Sequence, residues 1–328
     1  MKELLNIKNL YVQYNTDEAV VHAVNGVDLI VHRGEAMGLV GETGAGKTTT
    51  ALGILNILPE QVGEITEGDI VYDGKNVLNM SKKELQAMRG KQVSMIFQDP
   101  MTSLNPIITV GNQIDEMLLL HFKELTKEQR AQKVDDILKL VGIPAERKHE
   151  YPFQFSGGMK QRIGIAIALV CQPDLLIADE PTTALDVTIQ AQILQLMKQL
   201  KRELGTALIM ITHDLGIVAE LCDNVSVMYA GEIVETGTVE DIYQRIENHP
   251  YTTGLFNCIP KLDSNEKRLT PIAGYMVDPT DLPKGCKFHD RCPYVTDRCG
   301  RENPKAYQNG THKIKCFRYE SWGEGDSI

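Results

Sequence analysis

MGLVGETGAGKTTTALGILNIL, residues 37–58, is the stretch that decides the fold of this chain. It fulfils the pattern G-x-x-x-x-G-K-[ST] at Gly41, Gly46, Lys47 and Thr48, in which the backbone N–H groups of a glycine-rich turn close around phosphate oxygens. An apolar run of the buried-strand type precedes the turn. A helix is expected to begin at Lys47 and to run on to Leu58, before Pro59.

A helix that begins at Lys47 would point the positive end of its dipole at bound phosphates. The alternative is a glycine-rich turn between a strand and a helix that binds nothing. We favour a nucleoside triphosphate site, and predict that it is formed by Gly41, Glu42, Thr43, Gly44, Ala45, Gly46, Lys47, Thr48 and Thr49.

Length and composition narrow the class of protein. The chain has 328 residues, which favours two domains, and its 34 basic and 44 acidic residues give a net charge of −10, which disfavours nucleic acid as a partner. The longest uninterrupted apolar run, at 163–171, is far shorter than the roughly 20 residues of a membrane span. No signal peptide is apparent, so we expect a cytoplasmic chain whose seven cysteines form no disulfides.

Polar residues follow three predicted buried strands, where they would face the ligand crevice of an α/β sheet. Adjacent carboxylates in such a place suit phosphoryl transfer, one toward Mg²⁺ and one toward the attacking water. The alternatives are that the carboxylates cap the next turn and that the histidine is structural. The residues are Gln98 after 93–97, Asp179 and Glu180 after 175–177, and His213 after 207–211.

Three further features lie around these strands. Tyr14 precedes the phosphate loop and either stacks on a purine ring or is a half-buried strand residue. Residues 99–160 have the pattern of a helical insertion, in which Thr126 and Gln129 form a capping box. The insertion ends in Ser156-Gly157-Gly158, which is either an anion-binding helix N-terminus or an ordinary turn.

Taken in order, these motifs resemble those of an ABC-type ATPase. Six of them occur in sequence over about 170 residues: the phosphate loop, Gln98, Ser156 to Gln161, Leu175 to Glu180, Ala184-Leu185-Asp186 and His213. Phe155 and Thr183 depart from the usual leucine and serine of the signature and the D-loop. The segments 97–106, 249–252 and 286–293 narrow the resemblance to the ATPases of dipeptide and oligopeptide importers.

The resemblance implies a P-loop NTPase fold of the α/β class: a RecA-like core with an antiparallel β subdomain and a helical subdomain at about 99–160. This ATPase domain would occupy residues 1–247, and a small loop-rich domain with four cysteines would occupy 248–328. It also implies Mg²⁺ and a composite site, in which each ATP lies between the phosphate loop of one chain and the signature of another.

Residue roles follow from the same resemblance. In the chain's own site, Lys47 would hold the β- and γ-phosphates, and Glu180 would act as the general base. Mg²⁺ would be bound by Thr48, Gln98 and Asp179. Gln98 and His213 would also contact the γ-phosphate, and Tyr14 would stack on adenine. Toward the partner chain the resemblance implies contacts from Ser156, Gly157, Gly158, Gln161 and Asp186.

The implied partners are a second, non-identical ATPase, two membrane permease subunits and, indirectly, an extracytoplasmic substrate-binding protein. The chain would be a peripheral protein at the cytoplasmic face of the membrane. Two other functions are possible: an ATPase of the same superfamily in DNA repair or translation, and a nucleotide-binding scaffold without catalysis. The single cassette and the acidic balance argue against the first, and the presence of Lys47, Asp179, Glu180 and His213 argues against the second.

Cys286, Cys292, Cys299 and Cys316 predict a metal centre in the loop-rich C-terminal part. Four thiolates around one ion or cluster would stabilise a region that has few apolar residues. Structural zinc sites usually bring cysteines in pairs with two to four residues between them, and the wider spacing here suits a cubane better. The resemblance implies a [4Fe–4S] cluster; Zn²⁺ and four unligated cysteines are the alternatives.

Overall fold

The structure is a computed structural model, which describes residues 2–98, 103–182, 187–244, 247–259 and 271–325. These residues group by contacts into two units. The first unit comprises Met1–Lys2, His32–Ala36 and Met80–Ile211, and the second comprises Glu3–Val31, Met37–Asn79 and Thr212–Ile328.

The elements of the described residues are numbered along the chain. The helices are α1 Lys47–Ile54, α2 Lys82–Met88, α3 Val110–His121, α4 Lys127–Leu140, α5 Gly157–Leu169, α6 Val187–Leu204, α7 Leu215–Leu221, α8 Val239–Gln244 and α9 Pro250–Asn257. The strands are β1 Glu3–Asn15, β2 Val20–His32, β3 Ala36–Val40, β4 Gly63–Tyr72, β5 Lys75–Asn76, β6 Val93–Ile96, β7 Leu175–Asp179, β8 Ala207–Thr212, β9 Asn224–Tyr229, β10 Glu232–Thr238, β11 Tyr307–Asn309 and β12 His312–Ile314.

The first unit is built on parallel strands. β6 pairs with β7 and β7 with β8, all parallel, and every side chain of β7 and β8 is buried. A strand that is covered on both faces requires a continuous apolar sequence, which Leu175 to Ala178 and Ala207 to Ile211 provide. The carboxyl ends of the three strands therefore lie at one edge, as the sequence predicted.

The helical part of the first unit contains the predicted capping box. The Thr126 side chain accepts the backbone N–H of Gln129, and the Gln129 side chain accepts the N–H of Thr126. Within the insertion, α3 buries Ile114 and Leu118, and α4 buries Val134, Ile137 and Leu138. Spacings of three and four residues place these side chains on one face of each helix, which gives the insertion its own apolar core.

The second unit contains two groups of strands. An antiparallel sheet has the order β2-β1-β4-β5, with Leu5 opposite Tyr72 and Ile7 opposite Ile70. The other group runs β11-β12-β10-β9-β3, in which only the β3–β9 pair is parallel. β12 pairs with β10, so the C-terminal region extends the sheet that carries the phosphate loop.

Two helices differ from their predicted bounds. α1 begins at Lys47 as expected but ends at Ile54, not Leu58. Asn56 adopts a left-handed φ of 51°, so the chain leaves the helix before Pro59 is reached. α5 begins at Gly157, six residues before the predicted apolar helix at 163, because Ser156 caps it by accepting the N–H of Met159.

The C-terminal region shares its core with the second unit. Phe288 and Tyr251 pack with Tyr229 of β9, with ring centroids 5.2 and 4.7 Å from that of Tyr229. These buried aromatic rings belong to one cluster with Val225 and Val227. The region from 248 onward is therefore stabilised by packing against the sheet, in addition to any contribution from its cysteines.

Among the helices that the structure describes, none is both long enough and apolar enough to cross a membrane.

Candidate nucleotide-binding site

The phosphate loop connects β3 to α1, and two of its glycines are required by close backbone approach. A Cβ on Gly41 would lie 2.2 Å from the carbonyl oxygen of Met228, and one on Gly46 would lie 2.3 Å from that of Ala23. Gly46 also has a φ of 103°, which favours glycine. The loop can therefore turn tightly at the end of the buried strand, and its backbone N–H groups then lie beside the N-terminus of α1.

Lys47 is buried, and its ammonium group lies over the loop. The Nζ atom donates to the carbonyl oxygens of Gly41 and Glu42, at 2.8 and 2.9 Å. Thr43, Gly44 and Thr48 are exposed, while Ala45 is buried. A buried lysine beside exposed backbone is the arrangement expected for a phosphate cradle, because the cation compensates the charge of the bound phosphates.

Tyr14 lies beside the first turn of α1. Its hydroxyl donates to Thr49 Oγ1 at 3.1 Å, and the side chain is half-buried. The predicted purine-stacking residue is thus within the same unit as the phosphate loop and in contact with the helix that follows it.

Gln98 and Glu180 come together at the carboxyl edge of the parallel strands. Gln98 Nε2 donates to Glu180 Oε2 at 3.0 Å, although the residues are separated by 82 positions in the sequence. Asp179, the last residue of β7, is only 2% exposed, whereas Glu180 is half-buried. The buried carboxylate is suited to a metal ion and the more accessible one to a water molecule.

The backbone at Glu180 is in an unusual conformation. Its φ is 46°, in the left-handed region that costs a non-glycine residue free energy. The Glu180 N–H donates to the carbonyl oxygen of Ile211 at 2.9 Å, which holds the turn against β8. Such strain is typical of functional sites, and in this conformation the Glu180 carboxylate accepts from Gln98.

His213 directly follows β8, and its side chain is exposed. Asp214, the next residue, caps α7 through the N–H groups of Gly216 and Ile217. β8 runs parallel to β7, so its carboxyl end lies at the same edge of these strands as Asp179.

The signature sequence forms the N-terminus of α5. Ser156 and Gly157 are exposed, and a Cβ on Gly158 would lie 2.5 Å from Ile189 Cγ2. Gln161, in contrast, is only 1% exposed, and neither of its amide atoms has a hydrogen-bond partner among the residues that the structure describes. The exposed end of α5 thus comprises Ser156 and Gly157, while Gln161 points into the protein. Asp186, predicted to contact a partner chain, lies outside the described residues.

The sequence did not indicate two residues that contact the phosphate loop. The hydroxyl of Tyr251 accepts the N–H of Glu42, and the guanidinium of Arg291 binds the Glu42 carboxylate. They lie 209 and 249 positions from Glu42, so no local pattern could have revealed them.

The four C-terminal cysteines line one cavity of about 200 Å³, together with the aromatic side chains of Phe288, Tyr294 and Phe317. Burial raises the pKa of the Cys286 thiol to about 12 and that of Cys316 to about 11. Burial also raises the pKa of Cys292. Within the described ranges, no three His, Cys, Asp or Glu side chains are grouped so as to hold a metal ion. The four thiols therefore share a cavity without forming a compact site for a single ion.

Comparison with known proteins identifies the family. Residues 24–183 match the family model for the ABC transporter, and residues 234–299 match that for the oligopeptide/dipeptide transporter C-terminal region. The chain is similar to the dipeptide transport ATP-binding protein DppD of Bacillus subtilis, with 47% identity over 99% of this chain and 97% of that protein. It is also similar to the oligopeptide transport ATP-binding protein OppD of Haemophilus influenzae, with 49% identity over 91% and 92% of the two chains.

Solved structures agree with this result. A dimeric structure of the ATP-binding cassette MJ0796, in a post-hydrolysis state with ADP and Pi, superposes with a TM-score of 0.65. It covers 72% of this chain and 98% of that one, at 27% identity. The predicted P-loop NTPase fold of the ABC type is therefore confirmed, and with it the assignment as an ATPase. Identity of this size over nearly the whole sequence shows that the chain belongs to the ATP-binding subunits of the dipeptide and oligopeptide ABC transporters.

Proposed function

We propose that this chain hydrolyses ATP to drive a membrane permease that imports dipeptides or oligopeptides. The observation that carries the proposal is the match of relatives with that named role over nearly the full length, including the C-terminal region at 234–299. The alternative is an ATPase of DNA repair or translation. The match of residues 234–299 to a transporter C-terminal region and the net charge of −10 both argue against it.

Each group in the site has a role in this proposal. Lys47 and the loop N–H groups bind the phosphates, and the exposed Thr48 and buried Asp179 offer the oxygen ligands that Mg²⁺ prefers. Bound Mg²⁺ would neutralise charge on the phosphates. Glu180 accepts a proton from the attacking water, and the Gln98 amide orients the Glu180 carboxylate. Gln98 also contacts Mg²⁺ or the γ-phosphate, and His213 contacts the γ-phosphate.

The active site is proposed to be shared between two chains. Ser156 and Gly157 are exposed at the N-terminus of α5, where free N–H groups and the helix dipole suit a phosphate of a second chain. The dimeric state of a similar solved cassette supports this arrangement. We infer that the partner is a related, non-identical ATPase, which the buried Gly158 would meet through its backbone. The predicted partner contact of Asp186 lies outside the described residues. The burial of Gln161 makes it a support for α5 in this proposal.

The remaining partners are two permease subunits at the cytoplasmic face of the membrane, with the substrate-binding protein acting through them. In the helical part, Tyr151 and Phe153 stack with centroids 5.8 Å apart, and Phe153 is 72% exposed. Exposed aromatic rings that stand together suit a contact with another protein, and we infer that this pair faces the permease. In this organisation residues 1–247 form the ATPase domain and residues 248–328 the extension.

An uptake assay tests the proposed function. In cells that contain the permease and the partner ATPase but lack this chain, the parental chain should restore uptake of a labelled dipeptide or oligopeptide, and Glu180→Gln should not. Lys305→Ala, which removes an exposed ion pair with Glu324, is the matched control and should restore uptake. Restoration by the Glu180→Gln chain, or no peptide uptake with the parental chain, would contradict the proposal.

We further propose that the four-cysteine cavity holds a [4Fe–4S] cluster. The support is the shared cavity of about 200 Å³ and its four thiol donors, which are the ligands such clusters require. A zinc ion needs four ligands at about 2.0–2.3 Å from one point, and no such compact group occurs among the described residues. Thiolates in this buried cavity need a positive partner, which the iron of a cluster supplies when bound.

Metal analysis tests the cluster. Protein purified without oxygen should be brown and contain about four irons per chain. Cys316→Ser should lose most of the iron, whereas Cys258→Ser, which alters a cysteine outside the cavity lining, should keep it. One zinc per chain without iron would show that the cavity holds zinc and not a cluster. No metal in the parental chain would contradict both the cluster and the zinc site.

A further inference from the structure

We propose that Arg291 and Tyr251 are positioning residues, which hold the phosphate loop in its ATP-binding conformation and so make the affinity for ATP depend on the C-terminal extension. The proposal goes beyond ATP hydrolysis itself, because neither residue belongs to a phosphate-binding motif. It rests on the contacts that Glu42, the second residue of the loop, makes with this region.

Arg291 binds the Glu42 carboxylate with two parallel hydrogen bonds. Nη1 lies 2.7 Å from Oε2 and Nη2 lies 3.1 Å from Oε1. The Arg291 side chain is 4% exposed and that of Glu42 is 31% exposed, so the pair is shielded from solvent on the arginine side. A bidentate pair of this kind fixes the orientation of the carboxylate as well as its distance from the guanidinium, because the guanidinium group is planar and rigid.

The backbone of Glu42 is held as well. Its N–H donates to the Tyr251 hydroxyl at 2.8 Å, and its carbonyl oxygen accepts from Lys47 Nζ at 2.9 Å. One loop residue is thus fixed at its amide, its carbonyl and its side chain. A phosphate cradle made of backbone N–H groups binds tightly only if the loop is already in the binding conformation, since ordering the loop costs free energy.

The two positioning residues are themselves held rigidly. The Arg291 guanidinium lies 5.7 and 5.9 Å from the ring centroids of Tyr229 and Phe288, and its Nε donates to the carbonyl oxygen of Ala273 at 3.0 Å. Tyr251 packs on Tyr229 in the same cluster. The extension therefore holds Arg291 and Tyr251 in fixed positions, and their bonds to Glu42 restrict the conformations of the phosphate loop.

A double-mutant cycle on Glu42 and Arg291 tests the proposal, with Mg-ATP affinity measured by calorimetry on the full chain. Arg291→Ala should weaken ATP binding about tenfold, as expected for the loss of a charge-assisted pair. Glu42→Ala should weaken it too, but should have little further effect in the Arg291→Ala background. Arg291→Lys should bind ATP more tightly than Arg291→Ala but less tightly than the parental chain, because lysine keeps the positive charge and cannot make two parallel hydrogen bonds to the carboxylate. Tyr251→Phe, which keeps the ring, should weaken binding by a few-fold.

The control is Lys305→Ala, which breaks the exposed Lys305–Glu324 pair in the same region and should leave ATP affinity unchanged. Melting of each variant without nucleotide verifies that it is folded. Unchanged affinity in Arg291→Ala and Tyr251→Phe would overturn the proposal, and so would effects of Glu42→Ala and Arg291→Ala that simply add. If Arg291→Ala does not fold, the proposal is decided by Arg291→Lys and Tyr251→Phe, and parental affinity in both overturns it.

Discussion

Glu180→Gln is expected to retain ATP binding and to hydrolyse ATP about 10² to 10⁴ times more slowly than the parental chain. The substitution removes the proposed general base but keeps the shape of the side chain and an amide oxygen that can accept from Gln98 Nε2, which lies 3.0 Å from the carboxylate. Phosphate release under single-turnover conditions measures the chemical step. Glu60→Gln, which alters an exposed carboxylate outside the motifs, should hydrolyse at the parental rate. Parental turnover in Glu180→Gln would assign the base to another group.

The same variant should trap the assembled state. Since ATP persists in it, the chain should pair with its partner ATPase when ATP is added, and light scattering should register the increase in mass. Adding Ser156→Arg places a long cationic side chain at the exposed end of α5 and should prevent this pairing. Absence of an ATP-dependent mass change, with the partner ATPase supplied, would contradict the shared active site.

His312→Ala is expected to lower the free energy of unfolding of the second unit by about 3–5 kcal/mol. His312 Nε2 lies 2.7 Å from Glu235 Oε1, and both side chains are completely buried. Burial raises the pKa of Glu235. The hydrogen bonds from His312 and from the backbone N–H of His249 act in the opposite direction and lower that pKa. Removal of the imidazole leaves a buried carboxyl oxygen without that partner, and the cost is the desolvation of that group.

Denaturant unfolding measures this effect, and the single tryptophan of the chain provides the signal. Trp322 lies with its ring centroid 5.4 Å from that of His312, so its fluorescence reports on the region that is altered. His312→Gln, which retains an N–H donor, should lose less stability. Lys305→Ala should change it by less than about 1 kcal/mol, because that ion pair is exposed. A loss below about 1 kcal/mol in His312→Ala would show that the buried pair does not stabilise the fold.

The sequence predicted those parts of the site that depend on local patterns. The phosphate loop, the capping box at Thr126 and the strand that ends in Asp179 are each set by residues within about ten positions of one another, and the structure contains all three. The approach of Gln98 to Glu180 followed from a general property of parallel sheets, since residues at the carboxyl ends of neighbouring strands meet.

What the sequence did not reveal depends on distant packing. The early end of α1 at Ile54 is an exception, because it follows locally from the left-handed Asn56, and apolar periodicity alone does not mark that residue as a helix end. The buried orientation of Gln161 depends on how α5 is packed within its unit, and motif position alone suggested a surface residue. The contacts of Tyr251 and Arg291 with Glu42 arise only when the C-terminal region folds back on β9 and β10.

The bond between Arg291 and Glu42 also has a consequence in the opposite direction. Coupling between two sites is reciprocal: the factor by which the extension tightens ATP binding is the factor by which ATP must favour the ordered extension. Arg291 directly precedes Cys292, so the 3₁₀ turn His289–Arg291 joins the residue that binds Glu42 to a cysteine of the thiol cavity. Binding of ATP at the phosphate loop would therefore also favour the ordered state of the turn that leads to the cysteines.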